Sequence, residues 1–141
     1  MIKIFFSIIM VGITLSGFGQ KLKDSQVPVA AKNAFENKYP GVTGTWDKED
    51  ANYEVNFKKD GKSMSAVIDK NGTIIETETD ILVNDLPPAI KTYMQKHYAG
   101  SKIKEAAKIV KANGEINYEA EVDKKDVIFD ANGNFIKEAK D

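Results

Sequence analysis

Between Val27 and Tyr39 the apolar residues fall on every fourth position, Val27, Ala31, Phe35 and Tyr39, with Ala30 and Ala34 widening the stripe. That spacing predicts one buried face of a helix. Pro28 suits the first turn, where a missing N–H costs nothing, and Pro40-Gly41 ends it. The period then drops to two: Tyr53, Val55 and Phe57 alternate with Asn52, Glu54, Asn56 and Lys58, as in a half-buried antiparallel strand. The same order returns further on. Leu86, Ile90, Met94 and Tyr98 stand at one constant displacement from the first four, with Pro87-Pro88 before them and Ala99-Gly100 after. Ile116, Tyr118, Ala120 and Val122 then alternate with Asn117, Glu119 and Glu121. A constant displacement at four positions, followed by the same order of elements, is the mark of duplication.

The turns follow the same rule. Lys59-Asp60-Gly61-Lys62, Lys70-Asn71-Gly72 and Ala112-Asn113-Gly114 are compact hairpin signals, and each repeat closes on Asp-x-Asn-Gly, Asp69 to Gly72 and Asp130 to Gly133. A calcium loop would need liganding oxygens that continue past the glycine to a distal glutamate, and these segments lack them. The segments 42–48 and 102–111 are read as strands. The expected fold is therefore α+β: two tandem helix-plus-four-strand repeats, 27–78 and 86–138, forming one antiparallel sheet with the helices packed on one face. Either repeat alone is marginal in size, so the two are expected to share one domain over residues 20–141.

Residues 1–19 stand apart. A short basic start, Met1-Ile2-Lys3, an apolar run from Ile4 to Leu15, and glycines at 17 and 19 make a secretory signal peptide. The run is shorter than the ~20 residues a spanning helix needs, so no membrane span is expected after cleavage. The expected location is periplasmic or secreted. The chain has no cysteine, which excludes disulfides, thiolate chemistry and the lipid anchor of a lipoprotein. Net charge is −1, and every one of the twenty basic residues is lysine. Without arginine's planar fork for phosphate and guanine, a nucleic-acid partner is disfavoured.

Catalytic chemistry finds no foothold. There is one histidine, His97, read as a surface residue near the end of the second helix; no phosphate loop, nucleophile elbow or zinc helix occurs, and Asp47, Glu49 and Asp50 read as a solvated turn. No catalytic residue, no metal site and no cofactor are expected. The closing hairpins carry apolar residues on both faces: Ile68 goes with Ile74, Val67 with Ile75, Phe129 with Phe135 and Ile128 with Ile136. One of these sets must lie on the face away from the helices, where an apolar stripe marks a partner surface, unless long segments cover it. Trp46, the only tryptophan, has no counterpart in the second repeat, which holds Glu105 there. The candidate partner-binding residues are thus Trp46, Val67, Ile75, Ile128 and Ile136, with packing at the rim of the core as the competing role for Trp46.

The paired helices VPVAAKNAFENKYPG and LPPAIKTYMQKHYAG, the strands YEVNF and YEAEV, and the hairpins DKNGTIIE and DANGNFIKE resemble the PepSY-like, β-lactamase-inhibitor-like domains of exported bacterial proteins. The resemblance spans the mature chain. It implies helices on one antiparallel sheet and binding or inhibition of an exported enzyme, a protease or a β-lactamase, through the sheet's open face and loops. It supplies no catalytic motif. The expected role is an exported non-catalytic binding module that inhibits or chaperones a secreted or periplasmic enzyme, its partner an unknown exported protein. The alternative is a small-ligand carrier with a cavity between helices and sheet, lined by Phe35, Tyr53, Met94 and Tyr118.

Overall fold

A computed structural model describes residues 20–140; the signal peptide expected at residues 1–19 lies outside them. The elements run β1 (Gln20–Leu22), α1 (Val29–Lys38), β2 (Gly44–Glu49), β3 (Asn52–Lys59), β4 (Lys62–Ile68), β5 (Ile74–Ile81), α2 (Pro88–His97), β6 (Glu105–Lys111), β7 (Ile116–Val122), β8 (Lys125–Asp130) and β9 (Phe135–Lys140). Single 3₁₀ turns, Asp24–Gln26 and Val83–Asp85, precede the helices. The strands follow one another in sequence order, β1 to β9, in one antiparallel α+β arrangement. The duplication is thus present as helix plus four strands, twice. The ninth strand is β1, which the periodicity did not reveal because three residues are too few to show alternation.

The chain divides at Thr77/Glu78 into two compact units. In the N-terminal unit α1 lays Ala31 and Phe35 on Trp46, Val55, Phe57, Ala66 and Ile68, and Val27 and Tyr39 extend the stripe just beyond the helix ends. The strand register explains the selection. Tyr53, Val55 and Phe57 pair with Ile68, Ala66 and Met64, so every second residue of β3 and β4 meets the helix. In the C-terminal unit α2 lays Ile90 and Met94 on Ala106, Ala120, Val122, Val127 and Phe129 by the same logic. Residues 42–48 and 102–111 supply β2 and β6, as the sequence suggested.

Each helix is entered at a proline. Pro28 and Pro87 cap α1 and α2 in extended conformations, and Pro88 occupies the first turn of α2, where its absent N–H is harmless. Each closing hairpin then returns to the same helix end. Asp69 Oδ1 accepts from Asn71 N at 2.8 Å and Thr73 N at 2.9 Å; Asp130 Oδ1 accepts from Asn132 N and Asn134 N, both at 2.9 Å. The backbone amide of Thr73 and the Asn134 side chain lead the bonds that hold these carboxyls below the ordinary aspartate range. Gly72 and Gly133 complete the turns at φ +86°, and a Cβ there would lie 2.7 Å from Ala30 O and 2.6 Å from Ala89 Cβ respectively. The glycines are required twice over, by backbone conformation and by contact with the first turn of the helix.

The pairing within the second hairpin differs from expectation in one place. Phe129 does pair with Phe135, but a register shift follows, and Ile128 pairs with Lys137. Ile136 is the extra residue, so it does not share a face with Ile128. A bulge on a turn of this kind absorbs the length mismatch between four-residue turn and two-residue pleat.

Candidate partner-binding face

The residues of the strands that do not meet a helix define a second face in each unit, and most of them are buried. In the N-terminal unit Asp47 pairs with Glu54 and Glu54 with Val67, while Thr45 pairs with Asn56 and Asn56 with Ser65. In the C-terminal unit Ala107 pairs with Glu119, Glu119 with Ile128 and Ile128 with Lys137; on the neighbouring row Glu105 pairs with Glu121 and Glu121 with Asp126. Both units therefore carry one motif, a β-branched aliphatic residue set directly opposite a glutamate. Val67 and Ile128 fall outside the helix-side clusters.

The electrostatics of this surface are unusual. Asp47, Glu54 and Glu76 in the N-terminal unit, and Glu119, Glu121 and Asp126 in the C-terminal unit, are all buried. Burial, reinforced by Glu49, Asp47 and Glu76 nearby, pushes the Glu54 carboxyl up to about 8 although Ser65 bonds to it. Burial, reinforced by Glu76 and Asp50, takes Glu49 to about 7. Asp47 is raised by burial too, with Lys21 and a 3.2 Å bond from Asn56 Nδ2 pulling the other way. Close carboxylates in a poorly hydrated place hold protons that isolated ones would lose. Asp47 was read as part of a solvated turn; strand pairing instead puts it in this row.

Of the five candidate residues, Val67 and Ile128 lie on this face but are buried, 6% and 7% exposed, so the apolar stripe expected there is covered. Ile75 is half-buried and Ile136 exposed. Trp46 is in the helix-side cluster, edge-on to Phe35 with ring centroids 5.8 Å apart, so its place is one of packing. Ala107 and Ile109 also belong to the face away from α2, alternating with Ala106, which packs under the helix. Strand register, which needs the partner strand, is what identifies them. Rings of Phe35, Tyr39, Trp46 and Phe57 fill the space between α1 and its strands, at centroid separations of 4.6 to 5.8 Å. Among the described residues no three His, Cys, Asp or Glu side chains come together so as to hold a metal ion.

A second constellation, which the sequence did not disclose, lies in the C-terminal unit. Phe135 lies flat on Tyr93, centroids 5.5 Å apart and planes within 8°, and His97 stacks on Tyr93 at 4.1 Å. Phe129 meets both Tyr93 and Phe135 edge-on. The Tyr98 hydroxyl donates to Glu138, which also pairs with Lys125 at 3.0 Å. Burial and this carboxylate push the Tyr98 hydroxyl up to about 12. Among the described residues no helix is long and apolar enough to cross a membrane.

A helix laid on four antiparallel strands, made twice, defines a class of tandem α+β domains. The family model described as "Putative beta-lactamase-inhibitor-like, PepSY-like" matches residues 16–76 and again 51–137, and the chain belongs to this family. Three solved structures share the fold. A periplasmic protein of Bacteroides eggerthii is 14% identical, with 81% of this chain and 88% of that one covered at a TM-score of 0.73. A DUF2874 family protein of Bacteroides uniformis is 17% identical, with 81% and 89% covered at 0.72. A BLIP-like protein of Bacteroides fragilis is 24% identical, with 81% and 86% covered at 0.62. No curated protein matches the chain.

Proposed function

We propose that this chain is an exported, non-catalytic binding module that inhibits or chaperones a secreted or periplasmic enzyme through the strand face away from its helices. The observation that carries the reading is the repeated pair, Glu54 opposite Val67 and Glu119 opposite Ile128, each on the strand face away from its own helix, where all four side chains are buried. Aliphatic groups bordered by carboxylates suit a partner surface that offers apolar area together with lysine or arginine, because a basic group would offset the burial and the neighbouring carboxylates that push Glu49 and Glu54 up. The signal peptide expected at residues 1–19 and the family's description support the setting.

The test is affinity capture from a periplasmic extract with the mature protein, set against a Val67→Asp/Ile128→Asp double variant shown to be folded by circular dichroism. An exported enzyme recovered with the native sequence and absent with the variant is the expected result. Equal recovery by both would remove the face from consideration.

A further inference from the structure

β9 is the last strand in the order: β8 pairs with it on one side, and among the described residues no strand pairs with it on the other. Five of its six residues are exposed or nearly so in sequence from Phe135 to Glu138 and at Lys140. A bare edge of this kind is a template for another strand, and folded proteins usually blunt it. Here the blunting is partial. The bulge at Ile136 interrupts only the start, and Lys137 to Lys140 continue in regular register against Ile128 to Lys125.

Two apolar side chains mark the start of that edge. Phe135 is 43% exposed and Ile136 45%, and they adjoin in sequence. Phe135 is not loose. Tyr93 backs it face to face and Phe129 edge-on, so its exposed part is held in place before anything binds. An aromatic side chain fixed in advance loses little freedom on contact, the property of an interface anchor. The far end of the edge carries Lys140, opposite Lys125 of β8, and Glu138 already takes Lys125 and the Tyr98 hydroxyl.

A second copy of this chain is a poor occupant. Two identical strands related by a two-fold axis through the sheet pair only residues of the same face, so some residue must oppose itself. The two registers that keep most of β9 paired put Lys137 against Lys137 or Glu138 against Glu138. Like charges directly opposite one another are destabilising.

We propose that the free edge of β9 receives an extended segment of another protein as an added antiparallel strand. That segment is acidic in its N-terminal half, where it passes Lys140, and aliphatic or aromatic in its C-terminal half, where it seats on Phe135. Main-chain hydrogen bonds supply the affinity and the two ends supply the direction. The row through Ile128 ends on Lys137 of this strand, whereas Val67 belongs to the N-terminal unit.

The probe is a seven-residue synthetic peptide with two glutamates in its N-terminal half and valine and phenylalanine in its C-terminal half, added to the mature protein. Amide hydrogen exchange at residues 135–140 should slow by about tenfold or more at saturation. The same peptide N-methylated at alternate residues, which cannot complete the ladder, should give no protection. Phe135→Ala should weaken binding about tenfold, and Lys140→Glu about threefold, the scale of one exposed charge pair. If Phe135→Ala fails to fold, the N-methylated peptide still decides, since it leaves the protein unaltered. No slowing at residues 135–140, or equal binding by the N-methylated peptide, overturns the proposal. So does a sedimenting dimer whose β9 amides are protected without peptide, which would make a second copy the occupant. Val67→Asp, in the N-terminal unit, is expected to leave peptide binding unchanged, so failure of that face is distinguishable from failure of the β9 edge.

Discussion

The two repeats spend their aromatic residues in opposite ways. The N-terminal unit turns them inward: Phe35, Tyr39, Trp46 and Phe57 all touch under α1, and none is more than 8% exposed. The C-terminal unit packs the same place with Leu86, Ile90, Met94 and Val122 and carries rings outward, His97 and Tyr93 on α2 and Phe135 on β9. Duplication therefore preserved the frame, the helix register, the proline entry and the Asp-x-Asn-Gly hairpin, while the C-terminal core keeps one buried ring, Phe129, and its other rings lie toward the rim. The N-terminal unit thus leaves only Tyr53 half-buried, whereas the C-terminal unit carries an exposed, stacked ring at Phe135.

The sharpest way to break the comparison is to delete a ring from each side. Trp46→Ala should cost about 3–5 kcal/mol, the scale for emptying a packed aromatic site. Phe135→Ala, losing a half-exposed ring, should cost about 1 kcal/mol. Urea unfolding of both variants checks the contrast. Similar losses would mean that Phe135 is as structural as Trp46.

A second difference is titratable. The Glu54 carboxyl lies near 8 in the fold and near 4.5 in a free chain, so between those values the folded protein holds a proton that the unfolded one releases. Its contribution is greatest below about pH 4.5, falls as pH rises toward 8 and is level beyond. With several carboxylates sharing the effect, the expected loss from pH 5 to pH 9 is on the order of a few kcal/mol. Glu54→Gln should flatten that fall in the urea midpoint, and an unchanged slope would place the titration elsewhere.

The hairpin glycines test what the repeats share. Gly72→Ala and Gly133→Ala both force a side chain into left-handed backbone and into the first turn of a helix, at about 2 kcal/mol or more each. Thermal unfolding measures it. A negligible loss at Gly133 alone would show that the second hairpin can retreat from Ala89.

How far this was legible in the sequence follows from range. The helix stripes, Val27 to Tyr39 and Leu86 to Tyr98, and the alternation of β3 and β7 are local periods, and the structure keeps them. Features that need two elements to meet were not legible. The bulge that exchanges Ile136 for Lys137 opposite Ile128 depends on where the extra residue falls, which the turn's composition leaves open. The row of Asp47, Glu54 and Glu76 depends on register across strands, and the Tyr93–Phe135 stack on the docking of β9 beside α2. Trp46 shows the same limit from the other side. Its lack of a counterpart suggested a contact residue, yet a ring unique to one repeat can equally fill a core that only that repeat has built from aromatics.

The smallest predicted effect comes from one place where the frame itself diverges. The hairpin between β3 and β4 turns on Asp60 at φ +52° and Gly61 at +77°, two left-handed residues in a row, the turn whose twist matches its strands. Between β7 and β8 the same conformation falls to Asp123 at +50° and Lys124 at +60°. A lysine there bears the crowding of its Cβ against the backbone, worth roughly 1 kcal/mol, that a glycine avoids. Lys124→Gly should therefore stabilise the C-terminal unit by up to about 1 kcal/mol, the freer unfolded chain taking back part of the gain. Gly61→Lys should cost the N-terminal unit a similar amount. Thermal unfolding of the two variants reads both signs. A loss of stability in Lys124→Gly would show that the lysine side chain earns its strained backbone through contacts of its own.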